Sequence, residues 1–186
     1  MRKAALCVLI LVFAVSAALA EKSQHAADIL KTAQSKAADQ KKSVFLVFGA
    51  SWCEACHQLD TFLALSDVAP IIDKYFVVAH LTFGERAAGH PDWDTPGSDL
   101  LIAKYGGISP TGMVGLPFIA IVDAKAKLLA NSAATTKSKS GSNDAGFPTD
   151  PEEIRSFLSM IQKGASTITT DELRKLEDGL HQAAAD

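Results

Sequence analysis

Val44-Phe45-Leu46-Val47-Phe48-Gly49-Ala50-Ser51-Trp52-Cys53-Glu54-Ala55-Cys56-His57 is the stretch whose reading decides the fold. Its first five residues are an unbroken β-branched and aromatic run of strand length. A run without apolar-polar alternation suits a central strand covered on both faces. Gly49 to Trp52 interrupt the run, and Leu59, Phe62 and Leu63 then recur at the spacing of a helix face. The cysteines therefore fall where a buried strand hands over to a helix.

Outward from that junction, Ala26, Ile29, Leu30, Ala33 and Ala37 predict an amphipathic helix from Ser23 to about Gln40, with Ser23 as its candidate cap. Downstream, Pro70 suits the first turn of a short helix carrying Ile71 and Ile72, leading into a second buried strand from Phe76 to about Thr82. Phe83 to Gly97 is loop by composition, broken by Gly84, Gly89, Pro91, Pro96 and Gly97. Ser98 to Tyr105 predicts a helix ended by Gly106-Gly107. Pro117 to Val122 is a third strand, and Asp123-Ala124-Lys125 a turn into a fourth from Ala126 to about Ala130. Asn131 to Pro148 has the composition of a mobile surface loop. Two capped helices follow, one opening at Thr149-Asp150-Pro151 with Ile154, Phe157, Leu158 and Ile161 as its buried stripe, the other at Thr169 with Leu173, Leu176 and Leu180. These elements make one α/β domain, a mixed sheet of about four strands with helices on both faces.

The mean hydropathy of +0.14 has a local origin. Arg2 and Lys3 precede an apolar run from Ala4 to Val15 that ends in Ala18-Leu19-Ala20, the order of a secretory signal peptide cleaved after Ala20. Cys7 lies inside that run, which argues against lipoprotein anchoring. The expected divisions are a signal at 1–20, a main domain at 21–165 and a C-terminal helical extension at 166–186. Taking twenty residues and two positive charges from 186 residues at −3 leaves 166 residues at −5, with Cys53 and Cys56 alone. The expected product is exported, to a bacterial periplasm or beyond, with no membrane span. Its weak acidity excludes a nucleic-acid surface, which needs clustered Lys and Arg.

A bridge across two intervening residues closes a trivial loop and would stabilise little, so the pair reads as chemistry. Unpaired N–H groups at a helix N-terminus favour a thiolate, the reactive form of cysteine. Cys53 is thus the expected exposed nucleophile, and Cys56, nearly one turn along the same helix face, the resolving thiol.

From Ser23 to Ile161 the sequence resembles the thioredoxin superfamily. The resemblance rests on the strand Val44–Phe48, on Ala50-Ser51-Trp52-Cys53-Glu54-Ala55-Cys56 and on Gly115-Leu116-Pro117. It implies a thioredoxin-like fold and a redox-active Cys53/Cys56 pair acting on protein thiols and disulfides with a redox partner protein and no cofactor. It also implies a cis Pro117 facing the cysteines, with the Leu116 backbone offered to a substrate chain. Trp52, Glu54, Ala55 and His57 complete the expected surroundings. The departures are Glu54-Ala55 between the cysteines and Val47 where thioredoxins carry a buried carboxylate. Glu54 and His57 are substitute proton carriers, each also readable as an exposed polar residue. Glu54 disfavours the thiolate and a protonated His57 favours it, and a reductase or general exchanger is the expected direction.

Two other chemistries share these residues. Cys53-x-x-Cys56-His57 satisfies the c-type haem attachment pattern, with Met113 or Met160 as second axial ligand, and Cys53, Cys56 and His57 are soft ligands suited to copper or zinc delivery. The other histidines are scattered: His80 reads as core, and His25, His90 and His181 as surface. Trp93 reads as a loop anchor.

Overall fold

In the computed structural model, which describes residues 24–134 and 146–185, the run around Val44–Phe48 forms β1 (Ser43–Gly49), with Val44 to Phe48 all buried. β1 pairs in parallel with β2 (Phe76–Thr82) and antiparallel with β3 (Phe118–Val122), and β3 pairs antiparallel with β4 (Leu128–Asn131). The sheet order is β2-β1-β3-β4. Successive β1 side chains point to opposite faces, which explains the unbroken apolar run. Val44, Leu46 and Phe48 join one core, while Phe45 and Val47 join the other.

The first core is covered by α1 (Ala26–Gln40), through Leu30 and Ala33, and by α4 (Ser98–Lys104), through Ile102. The second lies under α2 (Glu54–Ala64), α3 (Ala69–Tyr75), α5 (Pro151–Gly164) and α6 (Thr170–Ala183). The chain is thus a mixed four-stranded sheet with helices on both faces, the architecture that the resemblance to thioredoxins implies. No helix among the described residues is long and apolar enough to cross a membrane. The expected signal segment, its cleavage point and Cys7 lie outside the described residues.

Several expectations change on contact with the structure. The N-cap of α1 is His25, not Ser23, and Ser23 itself lies outside the described residues. The third strand starts at Phe118, one residue after Pro117. The fourth starts at Leu128 because the turn runs further: Asp123 Oδ1 accepts the Lys125 and Lys127 N–H groups, and Ala126 takes a left-handed conformation at φ 61°. β2 is an edge strand, so its His80 side chain is 55% exposed and sits 3.8 Å from Asp60, not in the core.

The ends of the expected 131–148 loop are structural. Ser132 Oγ accepts the Ile119 N–H at 2.9 Å, and Phe147 is buried edge-on against Phe62. Residues 135–145 of that loop are outside the described set. Both expected caps of the last helices form reciprocal capping boxes, Asp150 with Glu153 and Thr169 with Glu172. α6 packs against the rest of the chain, with Leu176, Leu180 and Ala183 buried in the same core as Phe62 and Ile154.

Candidate active site

The sheet register builds the site. Phe48 pairs with Phe118, so the chain just before β3, Leu116-Pro117, lies beside the residues that follow β1. On the other side Gly49 pairs with Thr82, and the Phe83 N–H donates to the Gly49 carbonyl at 2.8 Å. The turn from Ala50 to Cys53 therefore emerges between Leu116-Pro117 and Gly84-Glu85.

Cys53 is the N-cap of α2. Its sulfur accepts the Cys56 N–H at 3.2 Å, as a Ser or Asp oxygen does at ordinary caps. This places Cys53 where orphan N–H groups stabilise negative charge on sulfur. Cys53 and Cys56 form a disulfide with Cα atoms 5.2 Å apart. In this oxidised form each cysteine retains only 6% of its surface, so the exposure expected of Cys53 is not seen. The two sulfur residues pack with Ala50, and Ala55 and Leu116 lean on them. The Leu116-Pro117 peptide bond is cis, and Pro117 is buried.

The other anticipated residues surround this centre. Trp52 is half exposed and its indole Nε1 donates to the Gly84 carbonyl at 2.9 Å. Glu54 is exposed in the first turn of α2. His57, also exposed, donates from Nε2 to the Ser51 carbonyl at 2.9 Å, which ties its ring to the turn. Met160 is buried in the core and Met113 is exposed in the connector before β3. Among the described residues no group of three His, Cys, Asp or Glu side chains is placed to hold a metal ion. The dispersed donors and the α/β fold disfavour the metal and haem readings. Trp93, expected as an anchor, is instead exposed and stacked on His90, with ring centroids 4.0 Å apart.

One residue at the site was not anticipated. Glu85 belongs to a 3₁₀ turn (Glu85–Ala88) inside the stretch read as loop, yet it is only 1% exposed. Its carboxylate accepts the Ser51 N–H at 2.5 Å and the Ser51 Oγ–H at 2.8 Å. A groove of about 250 Å³ opens beside it, also lined by Cys56, His57, Asp60 and His80. The missed signal was positional: a lone acid three residues past a glycine-free strand, at the point level with the cysteine turn. A larger hollow of about 520 Å³ between β4 and α5 has no cysteine or histidine in its wall.

The sequence model of a family described as thioredoxin-like matches residues 26–124, more than half of the 186. No curated protein matches the sequence. Among solved structures, the disulphide isomerase of Xylella fastidiosa aligns over 86% of this chain and 91% of its own, at 19% identity and a TM-score of 0.47. The DsbH oxidoreductase aligns over 59% of this chain and 70% of its own, at 21% identity and a TM-score of 0.38. The pneumococcal exposed lipoprotein thioredoxin of Streptococcus pneumoniae aligns over 50% and 76%, at 22% identity and a TM-score of 0.33.

Proposed function

We propose, from the premise that this chain belongs to the thioredoxin-like family, that it is an exported thiol-disulfide oxidoreductase working as a reductase or general exchanger. The observation that carries this reading is Cys53 at the N-cap of α2, its sulfur already receiving the Cys56 N–H. In the reduced protein the Cys53 thiolate attacks one sulfur of a substrate disulfide. One S–S bond breaks, a mixed disulfide forms and the other substrate sulfur leaves as a thiolate. Cys56, deprotonated, then attacks the Cys53 sulfur, which releases the second substrate thiolate and closes the Cys53–Cys56 disulfide. Two electrons pass to the substrate, and a dithiol protein must return them. Trp52, next to Cys53 in the turn, and Leu116, which packs on the cysteines, form with the Leu116-Pro117 backbone the surface against which a substrate chain would lie. Export rests on the sequence of residues 1–20, and the periplasm is the compartment it suits.

The direct test is equilibration of the purified protein with glutathione. Cysteine pairs on this fold span about −270 to −120 mV, and the reductase reading expects the lower part of that range. A potential near −120 mV would overturn that direction while leaving the exchange chemistry standing. Replacing Cys56 with Ser should accumulate substrates disulfide-bonded to Cys53, and mass spectrometry of those adducts would identify the substrate proteins. Recovery of no Cys53-linked protein from the native compartment would count against protein disulfides as the substrate class.

A further inference from the structure

Ser51 is held at every polar atom. Glu85 accepts its N–H and its hydroxyl, and His57 donates to its carbonyl. These ties differ in what they connect. His57 rides on α2, the helix that carries Cys56, and moves with the pair. Glu85 belongs to the chain leaving β2, so its bonds join the cysteine turn to the sheet. That chain is fixed in turn: the Glu85 N–H donates to Asp94 Oδ1 at 3.0 Å, the His90 N–H donates to the Glu85 carbonyl at 3.0 Å, and Thr82 and Thr95 bond each other across the base of the loop. Trp52 adds its indole bond to Gly84, which sits at φ +92°, a left-handed conformation suited to glycine.

Cys53 depends on this tie more than Cys56 does. Cys56 lies inside α2. Cys53 lies outside the helix, with its own N–H bonded to Ala50 in the same turn. While the disulfide is closed, the S–S bond itself limits the turn. Once two electrons open it, Cys53 is held on one side by α2, whose Cys56 and His57 N–H groups donate to its carbonyl at 3.0 and 3.2 Å, and on the other by the turn and whatever anchors that turn. We propose that Glu85 is a positioning residue for disulfide exchange, holding the Ser51-Trp52 turn so that the Cys53 and Cys56 sulfurs stay within bonding reach in the reduced protein. This rests on the reading of the pair as an exchange site, and deepens it.

Loss of the tie lowers the effective concentration of one thiol at the other, so ring closure becomes less favourable and slower. A buried carboxylate also acts through its charge, and the two effects separate by substitution. In Glu85→Gln the amide oxygen still accepts the Ser51 N–H and the amide NH2 donates to Ser51 Oγ, so position is kept and charge removed. Glu85→Ala removes both.

The experiment equilibrates the full-length protein and its variants with glutathione and reads the oxidised fraction by alkylation and mass spectrometry. Glu85→Ala is expected to lower the equilibrium constant for forming the Cys53–Cys56 disulfide about tenfold, a shift of about 30 mV toward the dithiol. Ser51→Ala, which deletes one of the two bonds, should lower it about threefold, and Glu85→Gln should stay within about twofold of wild type. Equal shifts in Glu85→Ala and Glu85→Gln would show a charge effect and overturn positioning, as would a folded Glu85→Ala equal to wild type. If circular dichroism shows Glu85→Ala unfolded, the remaining pair decides: Ser51→Ala shifted with Glu85→Gln unshifted supports the proposal, and any other pattern overturns it. A wild-type protein that does not exchange with glutathione overturns the exchange reading and this inference together. Normal wild-type exchange with an unmoved Glu85→Ala overturns the inference alone.

Discussion

The two flanks of the cysteine turn are built from opposite materials. On the β3 side stand Leu116, which packs against the cysteines, and the buried Pro117 next to it in the chain. On the β2 side stand Gly84 and Glu85, which touch the turn through three hydrogen bonds. Packing is non-directional and leaves the cysteines free to meet another apolar or extended chain. Hydrogen bonds to a buried carboxylate fix a geometry, because an unpaired buried charge is costly. One flank thus suits reception and the other support, and they should fail in different ways.

The largest expected effect removes what lies between the flanks. Cys53→Ser should lower disulfide-reductase activity in an insulin-reduction assay on the order of a thousandfold or more, since it deletes the nucleophile. Full activity in that variant would make both flanks irrelevant. Next comes a change far from them. Gly179 lies in α6, where a Cβ would meet Val68 Cγ2 at 2.5 Å, and Val68 is fully buried. Gly→Ala inside a helix ordinarily gains about 1 kcal/mol. Here overpacking should reverse the sign and cost about 1 to 3 kcal/mol, read as a lower urea midpoint. The redox potential of the folded fraction should not change. If it did, differences between flank variants would report stability and nothing local.

That α6 constrains the core this tightly was only half legible. The stripe of Leu176 and Leu180 and the Thr169 cap are periodic and local, so the sequence displays them. The close approach at Gly179 is a contact between residues far apart in the chain, which no local pattern encodes. The same distinction divides the site. Cys53, Cys56 and the strand before them follow from local order, and the Leu116-Pro117 flank came from its resemblance to a known family. Glu85 was hidden because it interrupts no periodicity and sits among Gly and Pro residues that read as loop. Its burial follows from the parallel register of Gly49 with Thr82, which brings Gly84, its neighbour, level with Ser51. His80 went the other way. Its strand looked buried by composition, but β2 lies at the sheet edge, where that side chain is left largely uncovered beside Asp60.

A smaller effect tests the apolar flank directly. Leu116→Ala removes part of the cover that leans on Cys53 and Cys56. If this flank receives substrate, KM for a protein disulfide should rise about threefold to tenfold, a cost of about 0.6 to 1.4 kcal/mol for a partly buried aliphatic side chain. The potential measured with glutathione should move less than twofold in equilibrium constant. The reverse pattern, with KM unchanged and the potential shifted, would mean that Leu116 supports the pair as Glu85 is proposed to do, and the contrast between the flanks would collapse.

The smallest effect calibrates the rest, because it changes another hydrogen-bonded carboxylate, one that bonds nothing in the cysteine turn. Glu172 closes the α6 capping box by accepting the Thr169 N–H at 2.9 Å, and also accepts from Lys74 Nζ at 2.7 Å and the Tyr75 hydroxyl at 2.8 Å. The Lys74 hydrogen bond first, and the Thr169 N–H next, pull its pKa from 4.5 down to about 2. A carboxylate with a depressed folded pKa stabilises fully above its unfolded value, and that contribution is lost as pH falls from about 4.5 toward 2. Lys74 is largely solvated, which screens the ion pair, so Glu172→Gln should cost only about 1 kcal/mol at neutral pH, mostly through the cap. Urea midpoints of wild type and variant should differ at pH 7, converge below pH 4.5 and coincide near pH 2. A gap that persisted at pH 2 would assign the loss to packing rather than charge. The potential should equal that of wild type, since a carboxylate removed from the far side of the core leaves the turn untouched. A carboxylate that shifts the potential only when it bonds Ser51 acts by position, and Glu172→Gln beside Glu85→Ala is the pair of variants that tells the two situations apart.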